Sequence, residues 1–226
     1  MSFGIILTGI FTPALFWLGY FTYKDRAHPE PFGPMGAAFL MGLGAAWLCL
    51  RFYAYLPLLG IPSDPSILAE TDRWGFFGYA LGVIGPLEEF CKFLPFLLII
   101  RFKSFDEEID GIIYACTIAL GFASWENIRY LKYLDGFELY GRAFASPLTH
   151  TIFASIWGYL VGRAKLKRTP LLPAALGGLA ISAAFHGLFD FFTLSLALRI
   201  PAALLILLLW IWMIRVLEKL DSAARH

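Results

Sequence analysis

Charge is what this sequence has least of. Asp, Glu, Lys and Arg together make up 15% of its 226 residues, whereas 59% are hydrophobic and the mean hydropathy is +0.69. A water-soluble domain needs a charged exterior, and this composition cannot cover one. Cysteine is scarce too. Cys49, Cys91 and Cys116 all lie in apolar runs and form no CxxC pair. That argues against a disulfide framework or a cysteine-based zinc site and leaves them as small buried hydrophobes. No HExxH, internal repeat or low-complexity tract is present. The formal net charge of +1 gives bulk electrostatics no pull toward nucleic acid or an acidic partner. Met1-Ser2-Phe3-Gly4 lacks the positive leader of a secretory signal, so the first apolar run is expected to be a retained span.

What the chain has in abundance is apolar runs close to the roughly 20 residues that cross a bilayer. Hydropathy predicts seven helices, over 4–22, 34–58, 75–100, 110–131, 146–163, 173–194 and 197–216, the second long enough to require either a tilt or a break near Pro57. The expected fold class is all-α: one polytopic bundle in the lipid bilayer, over residues 1–226. Lys and Arg divide unequally between the two sets of loops. Lys24, Arg26, Arg101, Lys103, Arg163, Lys165, Lys167, Arg168, Arg215, Lys219 and Arg225 fall on one side; Arg51, Arg73, Arg129, Lys132, Arg142 and Arg199 fall on the other. The richer side is expected in the cytoplasm, which puts the N-terminus outside and the C-terminus inside a cell membrane.

Against this background the ionisable residues inside the runs stand out, because a charge at membrane depth costs several kcal/mol unless paired or hydrated. The third run carries Pro86-Leu87-Glu88-Glu89-Phe90-Cys91-Lys92. Glu88 and Lys92 are four apart and share a helix face, but such an ion pair accounts for one glutamate and not two. The fourth run ends in Trp125-Glu126-Asn127-Ile128-Arg129, read equally well as a functional carboxylate and amide or as a Glu126–Arg129 pair at a helix end. The fifth carries His150. The sixth carries His186 and Asp190, spaced so that the carboxylate can orient the imidazole. A lone intramembrane histidine can be interhelical glue; two of them with Asp190 and paired glutamates point to chemistry. His28, His226 and the acidic run Asp106, Glu107, Glu108, Asp110 read as solvated.

Helical rise places Glu88 roughly 20 Å from the outer end of its run and His186 roughly 20 Å from the inner end of its own. Both therefore lie near the midplane, and Glu126 and His150 lie above it. Gly82, Gly85, Gly177 and Gly178 allow close helix approach. A glutamate can activate water, and His or Asn can face an oxyanion. His150, His186 and a carboxylate, Asp190, also make a three-ligand Zn2+ set with a spare glutamate as general base. The same buried Glu, His and Lys residues would serve a proton-coupled transporter, although the repeated halves usual there are missing.

In order along the chain, Asp25-Arg26 with Glu30-Pro31, Glu88-Glu89-x-x-Lys92, Gly121-Phe122-Ala123 with Glu126-Asn127, His150 with Phe153, and His186-x-x-x-Asp190 resemble the PrsW family of membrane proteases. The wider superfamily includes CAAX prenyl endoproteases and bacteriocin-processing enzymes. Those carry an arginine one position after where Lys92 stands, and an HxxxN motif where His186 and Asp190 stand. The resemblance implies an intramembrane endopeptidase that cuts a single-span substrate, a membrane-anchored anti-sigma factor, near its extracytoplasmic face. It implies Glu88 and Glu89 as catalytic acids with His150 and His186 as partners. It leaves open a zinc enzyme or a metal-free one, in which Glu activates water and His with Asp or Asn holds the oxyanion.

Overall fold

The computed structural model describes residues 4, 10–130, 133–134, 136–193 and 198–224. Every regular element among them is helical: α1 (Thr12–Lys24), α2 (Phe32–Tyr55), α3 (Ser66–Thr71), α4 (Arg73–Tyr79), α5 (Gly85–Ile99), α6 (Asp110–Tyr130), α7 (Gly136–Leu166), α8 (Leu171–Thr193) and α9 (Arg199–Ala224). Three stretches are long and apolar enough to cross a membrane by length and composition: Phe32–Leu59, Leu171–Thr193 and Arg199–Ala223. The break near Pro57 takes the form of a 3-10 turn at Leu56–Leu59, closed by Gly60 at φ 73°. Residues 75–100 are less regular than predicted. A π turn at Ala80–Ile84 separates α4 from α5, ahead of the helix that carries the paired glutamates. α7 begins ten residues before the predicted 146. Pro147 lies within it without ending it, and the chain turns instead at Gly136, whose φ of 55° suits glycine. His226 and Arg225 lie outside the described residues.

α6 is the centre of the bundle. Its residues from Asp110 to Ser124 are all buried, as expected of a helix apolar on every side. It packs against α2, α5 and α7. Lipid supplies no hydrophobic drive between helices, so close backbone packing of small residues must hold them together. Gly111 of α6 faces Gly158 and Gly162 of α7: a methyl on Gly111 would come within 2.9 Å of the Gly162 Cα. α5 and α8 meet in the same way, Gly85 against the Ala183 backbone and Gly187 against the Ala80 backbone. Of the four glycines expected to allow approach, Gly85 and Gly178 do so, whereas Gly82 and Gly177 face open space. α9 is peripheral: Met213 and Leu217 are fully buried, while Leu204, Leu207 and Leu208 are exposed.

Ion pairs and hydrogen bonds gather the Lys/Arg-rich loops at one end. Lys24 pairs with Glu218 at 2.9 Å, His28 with Glu107 at 2.6 Å and Lys167 with Glu108 at 3.3 Å. Lys165 Nζ donates to Phe105 O at 2.8 Å. The acidic run at this end is not simply a solvated face. Asp110 is buried, and its Oδ2 accepts the backbone N–H groups of Asp106 and Glu107, which ties the preceding loop to the first residue of α6. Asp25 is also buried, receives the N–H of Glu30, and lies with Glu107 and Asp110 in one carboxylate group. Burial, with the charges of Asp110 and Glu107 adding to it, raises the Asp25 pKa to about 7.

Two outcomes follow from this packing. Gly187→Ala places a methyl 2.7 Å from the Ala80 carbonyl carbon and 2.9 Å from the Leu81 Cα. It should cost about 1–3 kcal/mol, read as a lowered Tm in detergent. Asp25 holds its proton more tightly folded than unfolded, where its pKa is about 3.9. Stability is therefore lost as pH rises from about 4 to 7. Asp25→Asn should raise the Tm at pH 8, and the gain should shrink to nothing as pH falls toward 4.

Candidate active site

Glu89 has hydrogen bonds to both of its carboxylate oxygens. It is fully buried, with Oε1 accepting from Lys92 Nζ at 2.5 Å and from His186 Nδ1 at 2.8 Å, and Oε2 from Trp157 Nε1 at 2.9 Å. Those donors come from α5 itself, α8 and α7, so one carboxylate ties three helices together. Glu88, the preceding residue, is in the opposite condition. Its Oε1 has only a long contact of 3.4 Å from Tyr53 OH, and its buried Oε2 has no hydrogen-bond partner. The nearest base to that oxygen is His186 Nε2, at 3.7 Å.

The two histidine rings stand edge to face at 5.2 Å. His186 stacks on Phe153 at 4.8 Å and 19°, which with the Glu89 bond fixes its orientation. His150 has both nitrogens engaged: Nδ1 lies 3.0 Å from Lys92 Nζ and Nε2 lies 2.9 Å from Glu126 Oε2. Glu126 is held in turn by Arg142 at 3.6 Å, and Arg142 stacks on Tyr130 at 3.9 Å.

The predicted residues converge, though not in the predicted pairs. Lys92 reaches Glu89 at i,i−3 rather than Glu88 at i,i−4. Glu126 reaches across to α7 instead of pairing with Arg129. Asp190 Oδ2 stands 3.7 Å from His186 Nε2, too far for a hydrogen bond, and Glu89 orients that ring instead. Asn127 is turned to the helix contact, its amide donating to Ala143 O at 3.4 Å. Trp157, Tyr53 and Arg142 were not anticipated. Trp157 lies two turns after His150 on the same helix, a spacing that puts both on one face; nothing near Tyr53 in the chain marks it.

Three donors come within 4.8 Å of one another: Glu88, His150 and His186, all buried. The set differs from His150, His186 and Asp190 in that Glu88 stands where Asp190 was expected. Its chemistry fits a metal. Glu88 Oε2 is a buried acceptor without a donor. His186 gives one nitrogen to a carboxylate and keeps the other clear, the arrangement typical of a metal-bound imidazole. One carboxylate and two histidines are also a zinc ligand set.

The description "PrsW family intramembrane metalloprotease" belongs to the family whose sequence profile matches residues 30–217. Proteins named protease PrsW are similar over most of the chain. That of Oceanobacillus iheyensis is 35% identical over 71% of this chain and 69% of its own. That of Geobacillus kaustophilus is 32% identical over 85% and 81%, and that of Bacillus subtilis 28% over 86% and 85%. No solved structure matches. With its buried glutamates and histidines gathered among membrane helices, and with these relatives, the chain belongs to the PrsW family of intramembrane metalloproteases.

Proposed function

We propose that the chain hydrolyses a peptide bond in a single-span membrane protein, such as a membrane-anchored anti-sigma factor, near its extracytoplasmic side. The N-terminus then lies outside and the C-terminus in the cytoplasm of the cell membrane. The observation that carries the reading is Glu88 Oε2, a buried carboxylate oxygen with no hydrogen-bond donor, 3.7 Å from a histidine nitrogen. A lone buried acceptor is costly to keep, and a water to be deprotonated would satisfy it.

In this reading Glu88 takes the proton of the attacking water and returns it to the leaving amine. Glu89 keeps the proton of His186 on Nδ1, which leaves Nε2 as an acceptor beside that water. His150, held on its two nitrogens by Lys92 and Glu126, stands edge to face with His186 and braces that ring. In the alternative, metal-dependent chemistry Glu88, His150 and His186 are the residues that would hold the metal, and Glu88 would be a ligand in place of the base. Zinc bound by them would lower the pKa of a water and polarise the scissile carbonyl. Asp190, 3.7 Å from His186 Nε2, adds to the acidic lining, and Asn127 ties α6 to α7 at the Ala143 carbonyl. An apolar cavity of about 760 Å³ supports a membrane helix as substrate. It is lined by Leu87 and Phe90, which flank Glu88 and Glu89 along α5, and by Leu179 and Ala183 of α8.

The test is cleavage of a reconstituted single-span substrate. Glu88→Gln should lower kcat by about 10²–10⁴ with the fold intact. Glu89→Gln should mainly destabilise, by about 3–5 kcal/mol, because it disrupts a buried ion pair, read as a lowered Tm. Cleavage by Glu88→Gln at the wild-type rate would overturn the assignment. Zinc analysis before and after chelation separates the two chemistries: loss of activity with stoichiometric zinc marks a zinc enzyme, and full activity without it marks the Glu/His mechanism.

A further inference from the structure

Lys92 is fully buried at the heart of this site, and peptide hydrolysis as described above does not use it. Its Nζ lies 2.5 Å from Glu89 Oε1, 3.0 Å from His150 Nδ1 and 4.9 Å from the centre of the Phe122 ring. An ammonium has donors and no acceptor. Its approach to Nδ1 therefore makes that nitrogen the acceptor and puts the ring proton on Nε2, where it is donated to Glu126. In this tautomer His150 has no lone pair left for a metal.

Either way of ligating meets the same obstacle. If Nδ1 is to bind a metal, the ammonium already stands on its lone pair. If Nε2 is to bind one, the ring proton must move to Nδ1 and point at a cation. A second positive charge so close also repels a divalent ion in a site with little water to screen it. His186 faces no such conflict, since its Nδ1 meets a carboxylate.

We propose that Lys92 is a resident cation that competes with the metal for His150, and so sets how weakly the site takes one. The inference rests on Glu88, His150 and His186 being the metal-holding residues. Lys92 acts through His150 and Glu89 and is a positioning residue. A merely structural lysine would predict the opposite sign: its loss would loosen the site and weaken binding.

The experiment is titration of the purified full-length protein with Zn2+ against a competing chelator. Lys92→Met should tighten the Kd for zinc at least tenfold. Lys92→Met combined with Glu89→Gln, which removes the buried pair together and avoids a stranded carboxylate, should shift it in the same direction. Unchanged or weaker binding by the folded variants, or no zinc binding by any of them, would overturn the proposal. Glu88→Gln and His186→Ala, titrated alongside, test the ligand set itself. If they lose zinc while Lys92→Met leaves it unchanged, the competition is wrong and the ligands are right; if they bind as wild type does, the ligand set is wrong.

Discussion

A carboxylate taken out of water has to find its hydrogen bonds in the protein, and most of this site is arranged around how Glu89 does so. Its two oxygens receive an ammonium, an imidazole and an indole from three different helices. Each donor is then committed in position. Lys92 cannot leave without exposing a buried charge, His186 cannot rotate, and Trp157 is pinned where Phe93 and Phe96 pack edge-on against it. Buried ion pairs of this kind contribute little net stability over an apolar replacement, but they are costly to break from one side. Their effect here is geometric: Glu89 is saturated so that Glu88, one residue away, can be left wanting.

Such convergence depends on how near the helices come. The α5–α8 contact is made backbone to backbone through Gly85 and Gly187, which brings the Glu88 and Glu89 side chains of α5 within reach of His186 on α8. The α6–α7 contact through Gly111, Gly158 and Gly162 does the same for Glu126 and His150. Packing by small residues and the polar cluster are thus two descriptions of one arrangement. Bulkier residues at the seams would separate the donors from their acceptor.

Much of this was legible in the chain. Apolar runs and sparse charge gave an all-helical membrane bundle, and the cost of a charge in lipid picked out Glu88, Glu89, His150 and His186. Pairing was not legible. Spacing along one helix favoured Glu88 with Lys92 and His186 with Asp190, because only neighbours on the same helix are visible in a sequence. The partners that win are supplied by other helices: Trp157 and His186 to Glu89, and Arg142 to Glu126. The start of α7 was missed for a related reason. Its first turns carry Glu138 and Arg142, which read as a polar loop, although Arg142 is spent on Glu126 and Tyr130.

The π turn at Ala80–Ile84 has a consequence for the phase of α5. A π turn takes up one residue more than an α turn, and one residue is about 100° around a helix axis. Upstream of it, Phe76 lies against Phe191 at the end of α8; downstream, Glu89 meets His186 on the same helix. The extra residue changes the rotation between these two contacts by about 100°. The inserted residue therefore acts as a phase shifter between α4, which presents an aromatic ring to α8, and α5, which presents a carboxylate to it.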